Sequence, residues 1–466
     1  MPKPFTLGIL GAGFSGKMLA SRLLSNLEFV SNTKIYLIDP DFVNGVAYGT
    51  SDPSHLLNVR ASNMSAFAED PEHFVTYLKS RFPDDGIAQK FVSRSIYSEY
   101  LNSIFNSSHL GNEAAIELIK EPVLEVSVLE ASGKSDQLEL SLSNRKILVD
   151  HLVLAYGNVH QDFAPSLSGS TSAQPAWPLP TQLLEKPRLL FVGTGLTMID
   201  LALSTARLNP NCKLVAVSRN GLLPAVHQSL NLERIAQIKG IIQQDLNSSK
   251  FGLFEIFKLI RTLSRTYPWR EVIDALRPFT TKVWLSLSDS QKGIFQRRLS
   301  TFWSIHRHRI APEIFFELQT LLSSGRLTIS RGKILTTCKR NAETDVQILL
   351  KQGGTKDITV DGIINCAGPS TLKQLSNNPL FASLLSSELI QMDSWGIALS
   401  MGNSKDKQVL FTDKISALGP PIRGELLECT SVPELREQVK RLAELLQSHT
   451  CNQIKHRNLC GKITSI

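Results

Sequence analysis

The chain contains 466 residues, of which 42% are hydrophobic and 20% are charged. A single hydrophobic core rarely grows beyond about 250–300 residues, so two or three domains are expected. The 50 basic residues exceed the 42 acidic residues by eight, but no run of five or more basic residues occurs. This dispersed charge argues against a nucleic-acid-binding tail and fits a solvated surface with sites for phosphate-bearing ligands. No apolar run reaches the roughly 18 residues that a membrane helix requires, so no membrane association is expected.

The cysteines indicate reduced structural thiols rather than a disulfide framework. None forms a C-x-x-C pair and no zinc-module spacing occurs, so no metal site is predicted. The N-terminus leads directly into an apolar segment without the features of a signal peptide, and a cytoplasmic protein is therefore expected. The six residues are Cys212, Cys338, Cys366, Cys429, Cys451 and Cys460.

The opening of the chain has a strand–turn–helix–strand pattern. A strand over residues 5–10, a helix over 17–25 and a strand over 34–38 indicate a βαβ unit with a parallel sheet. Helices are predicted next around residues 71–81 and 96–105. Strands are predicted after them at 123–129, 138–142 and 151–154.

A linker or draped loop, poor in charge and containing Pro, Ser and Gly, is predicted over residues 161–187. A second strand–turn–helix unit follows it, with strands at 188–192 and 214–217. A helical insertion is predicted at about 230–323. Further strands are predicted at 327–329, 346–350 and 362–365, and a closing helix at about 433–447.

These elements predict an α/β fold with two Rossmann-like dinucleotide-binding domains, of which the first is discontinuous. The expected boundaries are 1–165 for the first domain, 186–355 for the second domain with its insertion, 356–450 for the return of the first domain, and 451–466 for a loose tail.

The first strand and helix enclose a G-x-G-x-x-G turn. In such a turn the first glycine permits a tight bend, the second lets the backbone approach a pyrophosphate, and the third lets the helix pack on the strand. Asp39 ends the next strand, where a carboxylate can accept hydrogen bonds from ribose hydroxyls. The sequence therefore predicts a dinucleotide site formed by Gly11, Ala12, Gly13, Phe14, Ser15, Gly16 and Asp39.

A second turn of this kind begins at Gly193, with Met198 in place of the third glycine. The following strand ends in Ser218 and Arg219 rather than in an acid. Arginine can pair with the 2′-phosphate of NADPH, which a carboxylate would repel, and Ser218 is expected to donate a hydrogen bond to it. The predicted NADPH site consists of Gly193, Thr194, Gly195, Leu196, Thr197, Ser218 and Arg219.

Two such sites in one chain are typical of flavoproteins in which FAD stays bound and NADPH visits. The site with Asp39 suits FAD, and the site with Arg219 suits NADPH, which would pass a hydride to the flavin where the two domains face each other. No cysteine pair has the spacing of a disulfide reductase, so oxygen is the leading electron acceptor.

Part of the linker resembles the F-x-G-x-x-x-H-x-x-x-W-P fingerprint of class B flavin monooxygenases. Gly169, Trp177 and Pro178 occupy matching positions, whereas Leu167 replaces the phenylalanine and Ala173 replaces the histidine. The missing histidine argues against Baeyer–Villiger chemistry in particular.

Motifs along nearly the whole chain resemble a bacterial FAD/NAD(P)-binding family that includes an FAD-dependent urate hydroxylase and an aspartate N-monooxygenase that forms nitrosuccinate. The matching segments are the G-x-G-x-x-G turn and residues 55–59, 64–67, 218–224, 306–309, 365–369 and 418–421.

The resemblance implies that Asn58, Val59 and Ser65 lie along the flavin and that Gly157 and Gly419 close the FAD cleft. Members of the family with different substrates share these motifs, so they do not identify a substrate. A helix beginning after Gly419, over residues 425–429, would direct its N–H groups at the flavin.

The function expected from these observations is an FAD-dependent, NADPH-oxidising monooxygenase. It would hydroxylate a small metabolite, on nitrogen or on a heterocycle, through a flavin hydroperoxide formed with O₂. Few acid–base residues are required for this chemistry, so no catalytic residue is predicted. Candidate substrate-binding residues are Arg60, His227, His306 and Arg307, although the cluster at 306–309 also fits a charged helix end.

Two alternatives remain open at this stage. The first is a flavin-dependent reductase or oxidase that passes electrons to a quinone or to another protein. The second is a flavin-binding protein without catalytic activity. The helical insertion at about 230–323 is the expected lid over the active site, because substrate choice resides in variable segments on a fixed scaffold.

Overall fold

The computed structural model describes residues 3–42, 45–130, 136–159, 173–248 and 252–463. The chain divides into two compact units. The first comprises Met1–Gly49, Arg60–Val159 and Ser370–Ile466, and the second comprises Thr50–Val59 and His160–Pro369.

The strands of the described residues, in chain order, are β1 (Phe5–Leu10), β2 (Thr33–Ile38), β3 (Ile116–Ile119), β4 (Glu125–Leu129), β5 (Gln137–Ser141), β6 (Lys146–Val149), β7 (His151–Leu154), β8 (Ala173–Pro175), β9 (Arg188–Val192), β10 (Lys213–Ser218), β11 (Leu327–Arg340), β12 (Glu343–Leu350), β13 (Thr355–Val360), β14 (Gly362–Asn365), β15 (Leu410–Phe411) and β16 (Ile415–Ala417).

The helices of the described residues are α1 (Phe14–Leu24), α2 (Leu27–Asn32), α3 (Gly45–Tyr48), α4 (His73–Arg81), α5 (Arg94–His109), α6 (Thr181–Leu184), α7 (Leu196–Leu208), α8 (Leu232–Ser248), α9 (Leu253–Thr266), α10 (Trp269–Leu276), α11 (Thr280–Ser286), α12 (Asp289–Ile294), α13 (Ser300–Arg307), α14 (Pro312–Ser323), α15 (Leu372–Leu375), α16 (Pro379–Ser386) and α17 (Val432–Ile463). Short 3₁₀ turns occur at Ala61–Asn63, Ile87–Gln89, Arg277–Phe279 and Pro420–Ile422, and a π-helical turn at Phe295–Leu299.

The first unit contains a sheet in the order β15-β16-β7-β1-β2-β3. All of its pairs are parallel except β15–β16. Every residue of β1 is buried, as expected for a central strand covered on both faces. A separate antiparallel sheet, β4-β5-β6, completes this unit.

The second unit contains a sheet in the order β13-β12-β11-β10-β9-β14-β8. The pairs from β11 to β8 are parallel, and β12 and β13 extend β11 as an antiparallel meander. Helices α8 to α14 lie between β10 and β11 in the chain, and the core that their first members form includes Ile238, Leu263 and Val272. The predicted fold class, with its helical insertion, is confirmed.

The C-terminal tail predicted at 451–466 is wrong, because helix α17 continues to Ile463. The guanidinium of Arg457 donates to the buried carboxylate of Asp150 at 2.6 Å and lies over the ring of Phe5 at 5.8 Å. A buried carboxylate requires such a partner, so this end of the chain is held against the first unit.

Two further boundaries differ from the prediction. The first domain resumes at Ser370 rather than at 356, because β14 pairs with β9 and therefore stays in the second unit. The predicted linker contains β8 and α6, and β8 extends the sheet beside β14. Residues 160–172 of that linker, with Leu167 and Gly169, lie outside the described residues.

Candidate functional site

The first glycine turn closes the carboxyl edge of the first sheet between β1 and α1. The Gly11 N–H donates to the carbonyl of Ile38 at 2.8 Å, and Gly11 has a φ of +105°. A Cβ atom at Gly11 would lie 2.5 Å from the carbonyl oxygen of Ala155, and one at Gly16 would clash with the carbonyl oxygen of Gly11. Both positions therefore require glycine, as the G-x-G-x-x-G pattern predicts.

Helix α1 begins at Phe14, directly after this turn. Its N-cap is Gly13, no side chain caps it, and no acidic residue lies in its first turn. The first N–H groups of a helix lack partners within the helix, and the positive end of the helix dipole favours anions there. This end of α1 therefore fits a pyrophosphate group.

Asp39 holds the turn and the loop that follows β2. Its Oδ2 accepts the N–H of Ala12 at 2.7 Å, and its Oδ1 accepts the N–H groups of Asp41 and Phe42 at 3.0 and 2.9 Å. A carboxylate oxygen has two lone pairs, so Oδ2 retains an acceptor position for a ribose hydroxyl.

Lys17 is a buried cation beside this site that sequence reasoning missed. Its side chain is 3% exposed, and its Nζ donates to the side-chain oxygen of Asn102 at 2.8 Å and to the carbonyl of Phe42 at 3.5 Å. Burial lowers the pKa of Lys17 to about 8, against the opposing attraction of Asp39. A lysine directly after the third glycine, in the apolar first turns of a helix, was the available signal.

Gly157 and Gly419 lie in loops that follow β7 and β16. Gly157 has a φ of +69°, and a Cβ atom there would meet nothing within 4 Å. Gly419 has a φ of +73°, and its Cβ atom would lie 2.8 Å from Leu435 and 3.5 Å from Ser15 Oγ. Gly419 is therefore next to the first glycine turn, while Gly157 leaves open space for a ligand.

The helix predicted over residues 425–429 is wrong. Only the three-residue turn Pro420–Ile422 follows Gly419, and the next helix begins at Val432. The N–H of Gly419 donates to the side-chain oxygen of Gln438 at 2.8 Å. No regular helix directs its N–H groups from this loop.

Ser65 and Arg60, which belong to the first unit, are engaged locally. Ser65 is fully buried, its hydroxyl donates to the carbonyl of Asp70 at 2.5 Å, and it accepts the N–H of Phe67 at 3.2 Å. The guanidinium of Arg60 lies 5.8 Å from the centre of the Phe91 ring. Ser65 thus shapes its own loop.

Asn58 and Val59 belong to the short segment Thr50–Val59 of the second unit. The segment is attached there through His55, whose Nδ1 bonds Thr50 at 2.7 Å and whose Nε2 bonds Ser204 of α7 at 2.8 Å. The Nε2–H of His227 donates to the carbonyl of Asn58 at 2.9 Å. His227 therefore positions this segment.

The second glycine turn repeats the geometry of the first at the edge of the second sheet. The Gly193 N–H donates to the carbonyl of Val217 at 2.8 Å, and Gly193 has a φ of +114°. A Cβ atom there would lie 2.5 Å from the carbonyl oxygen of Cys366. Helix α7 begins with Leu196 and Thr197, and its N-cap Gly195 is uncapped by any side chain.

Met198 is fully buried, so this turn accommodates a side chain where Gly16 excludes one. At the end of β10, Arg219 is exposed, and no carboxylate of the described residues pairs with it. This is the position that distinguishes NADPH from NADH in a Rossmann unit.

Ser218 does not offer the hydrogen bond that was expected of it. The hydroxyl of Thr194 donates to the carbonyl of Leu222 at 2.6 Å, so the 2.9 Å bond between Thr194 and Ser218 uses the Ser218 proton. Ser218 Oγ also accepts the N–H of Gly221 at 3.0 Å. In this arrangement Ser218 fixes the turn after β10, and its proton is directed at Thr194; its contact with a phosphate stays a prediction.

His306 and Arg307 lie in the last turn of α13. His306 Nδ1–H donates to the carbonyl of Phe302 at 2.7 Å, and the ring packs edge-on against Trp269 at 4.6 Å. Arg307 is buried. These positions match the alternative interpretation from the sequence, in which the cluster at 306–309 is a charged helix end.

The neighbouring Arg309 is 1% exposed and forms two hydrogen bonds with Asp274 at 2.8 and 3.1 Å. Its Nε also donates to the carbonyl of His306 at 2.9 Å. The basic cluster therefore joins α13 to α10 within the insertion.

In the segment that resembles the monooxygenase fingerprint, Ala173 and Trp177 make contacts within the fold. Ala173 lies in β8, is buried, and pairs with Ile363 of β14. The ring of Trp177 packs edge-on against His55 at 5.8 Å. No group of three or more His, Cys, Asp or Glu side chains suited to a metal ion occurs in the described ranges, and none of their helices is long and apolar enough to cross a membrane.

Two sheets with parallel central strands, each with a glycine turn that leads into an uncapped helix, define a two-domain α/β protein of the dinucleotide-binding class. Residues 8–159, which include the first glycine turn, match a family model described as FAD-NAD(P)-binding. A search of curated proteins found no match.

Solved structures show which known proteins the fold resembles. An ornithine hydroxylase from Pseudomonas aeruginosa, in its reduced form, is 13% identical with a TM-score of 0.63, over 96% of this chain and 99% of that one. An L-lysine 6-monooxygenase from Pseudomonas syringae is 16% identical with a TM-score of 0.61, over 95% and 99%. An FAD-bound cadaverine monooxygenase from Erwinia amylovora is 13% identical with a TM-score of 0.59, over 93% and 92%. This chain has the fold of these three enzymes.

Proposed function

We propose that this protein is an FAD-dependent monooxygenase that oxidises NADPH and hydroxylates a small nitrogenous metabolite with O₂. The observation that carries the proposal is the pair of equivalent glycine turns at Gly11 and Gly193. The next strand of each unit is followed by a residue of opposite charge, Asp39 after β2 and Arg219 after β10. One chain thus offers one site suited to FAD and one suited to NADPH.

The residues of the first unit would hold FAD. Gly11 and Gly16 allow the backbone to approach the pyrophosphate, the end of α1 offers N–H groups, and Asp39 retains an acceptor for the ribose. A Cβ atom at Gly157 would enter open space, which fits a ligand passing over that loop. Bound FAD, once reduced by NADPH, would supply the activation of O₂.

The described thiols argue against a disulfide reductase. Cys366 and Cys429 are buried, and burial raises the pKa of both thiols above its usual range. A protonated thiol is a poor nucleophile, so these residues do not form a redox-active pair. Free thiols also support the proposal of a cytoplasmic location.

The comparisons support the class of substrate. The similar structures are described as enzymes of ornithine, lysine and cadaverine, all of which carry a primary amine. The motifs resemble the family of the urate hydroxylase and the aspartate N-monooxygenase, and we include membership of that family in the proposal. In both sets of enzymes, the substrate that is oxygenated is a small nitrogenous metabolite.

The test is NADPH consumption by the purified protein with a panel of small amines, amino acids and purines under isotopically labelled O₂. We expect one compound to accelerate NADPH oxidation and to gain one labelled oxygen atom, detected by mass spectrometry. Turnover with an added quinone, without labelled product, would instead identify a reductase.

A further inference from the structure

In the turn after β10, the hydroxyl of Ser218 does not offer a phosphate the hydrogen-bond donor that the sequence predicts. The proton of Ser218 is used by Thr194, and its oxygen accepts the N–H of Gly221 at 3.0 Å. A phosphate bound at Arg219 therefore needs other hydrogen-bond donors. The neighbouring strands supply them.

Arg331 of β11 is the direct partner of Ser218 in the parallel β10–β11 pair. Paired residues on neighbouring strands point to the same face of a sheet, so the Arg331 side chain emerges beside the Ser218 hydroxyl. Gly221 has a φ of +60°, and a Cβ atom there would lie 3.1 Å from Arg331 Cβ. The stem of Arg331 thus packs against the turn, and the residue as a whole is exposed.

Lys351, directly after β12, reaches the same turn. Its N–H donates to the carbonyl of Arg331 at 2.9 Å, and its Nζ donates to the side-chain oxygen of Asn220 at 3.5 Å. The long contact to a neutral amide leaves two further ammonium protons for another acceptor.

Arg219, Arg331 and Lys351 are all exposed, and within the described ranges no carboxylate forms an ion pair with any of them. Other arginines of this unit are paired: Arg188 contacts Asp361 at 2.6 Å, for example. Three cations without acidic partners around one turn form a site for a doubly charged anion.

We propose that Arg331 and Lys351 bind the 2′-phosphate of NADPH together with Arg219. The antiparallel extension β11–β12 then contributes to the preference for NADPH over NADH. This inference rests on the proposed function, which assigns NADPH to the second unit. It adds two specificity-determining residues that lie more than a hundred positions beyond the glycine turn in the sequence.

The test is calorimetric titration of the full-length FAD-loaded protein with NADP⁺ and with NAD⁺. Arg331→Met and Lys351→Met should each raise the Kd for NADP⁺ about tenfold, because each removes a charged partner of the phosphate. The Kd for NAD⁺ should change less than about twofold, because NAD⁺ lacks that group.

Lys339→Met is the matched control. It removes the same charge from an exposed position of the same strand, eight residues further on and roughly 25 Å away. We expect it to leave both affinities unchanged. The weakening of NADP⁺ binding by salt should also be smaller in the Arg331 and Lys351 variants than in the control, because fewer charges contact the ligand.

The failure of this inference is distinguishable from the failure of the proposed function. If the unaltered protein binds NADP⁺ and NAD⁺ equally, both are overturned. If it prefers NADP⁺ and only Arg219→Met abolishes the preference, then Arg331 and Lys351 have no role and the proposed function stands.

Discussion

Substitution of Gly195 by alanine should strongly weaken nucleotide binding to the second unit without unfolding it. Gly195 is the N-cap of α7, with φ of −83° and ψ of −169°, an extended conformation that any residue adopts. A Cβ atom there would have no heavy atom within 4 Å. The cost to stability is that of a weaker cap, about 1 kcal/mol or less.

The effect on binding should be much larger. The added methyl group enters the space through which a pyrophosphate approaches the first N–H groups of α7. A hydrogen bond to a charged group contributes about 1.5–3 kcal/mol, and the loss of one corresponds to a roughly 10–150-fold increase in Kd. Because NADP⁺ and NAD⁺ share the pyrophosphate, Gly195→Ala should weaken both to the same extent.

Gly193→Ala provides the contrast within the same turn. Gly193 has a φ of +114°, and its Cβ atom would lie 2.5 Å from the carbonyl oxygen of Cys366. The strained φ alone costs on the order of 1–3 kcal/mol, and the backbone must also move. This variant should therefore lose stability as well as binding.

The assay combines urea unfolding with calorimetric titration of NADP⁺ for the two variants and the unaltered protein. The expected pattern is near-normal unfolding with lost binding for Gly195→Ala, and lost stability for Gly193→Ala. Normal NADP⁺ affinity in Gly195→Ala would refute the assignment of this turn as a phosphate site.

Three further predictions follow from single side chains. Arg219→Ala should raise the KM for NADPH at least tenfold and leave the KM for NADH nearly unchanged, and steady-state kinetics showing equal effects would contradict the 2′-phosphate assignment. Burial, reinforced by His449, lowers the pKa of His151 from 6.5 to about 3. The unfolded state is thus protonated first as the pH falls below 6.5, and about 4 kcal/mol of stability should disappear by pH 3. Urea unfolding across this range should show a shallower loss for His151→Gln, and an unchanged slope would show that His151 is not responsible. Arg457→Ala leaves Asp150 buried without its cation and should destabilise the first unit by about 3 kcal/mol in chemical unfolding; an unaltered midpoint would mean that the end of α17 is not held by this pair.

The sequence predicted the parts of the fold that depend on local patterns. The strand at Arg188–Val192 and the glycine turns at Gly11 and Gly193 are where periodicity and spacing placed them. Buried parallel strands produce continuous apolar runs, and positive φ values require glycine. Both signals are visible in a single chain without any partner.

The remaining features depend on contacts between distant segments. The helical end of the chain follows from the Arg457–Asp150 pair, which joins positions 307 residues apart. The residues at 451–466 are mostly polar, and nothing in that segment indicates that a buried carboxylate, Asp150, binds it. Likewise, nothing adjacent to Arg219 in the sequence indicates Arg331, which the pairing of β10 with β11 places opposite the preceding residue, Ser218.

The roles of Ser218 and Ser65 show a second limit of prediction from the sequence. Ser218 is predicted to contact the NADPH phosphate because a hydroxyl can donate a hydrogen bond, whereas Ser65 is placed along the flavin by the family resemblance. In the structure, both hydroxyl protons are directed at partners inside their own loops. A hydroxyl has one proton, and its nearest acceptor depends on backbone geometry that sequence patterns do not specify.

The central claim is that the chain binds FAD and reduces it with NADPH. The most direct measurement is anaerobic mixing of the purified, FAD-loaded protein with NADPH and, separately, with NADH, while the absorbance of oxidised flavin is recorded. We expect stoichiometric bound FAD and rapid bleaching by NADPH, with much slower bleaching by NADH at equal concentration. A protein that retains no FAD, or whose bound FAD is not reduced by NADPH, would contradict it.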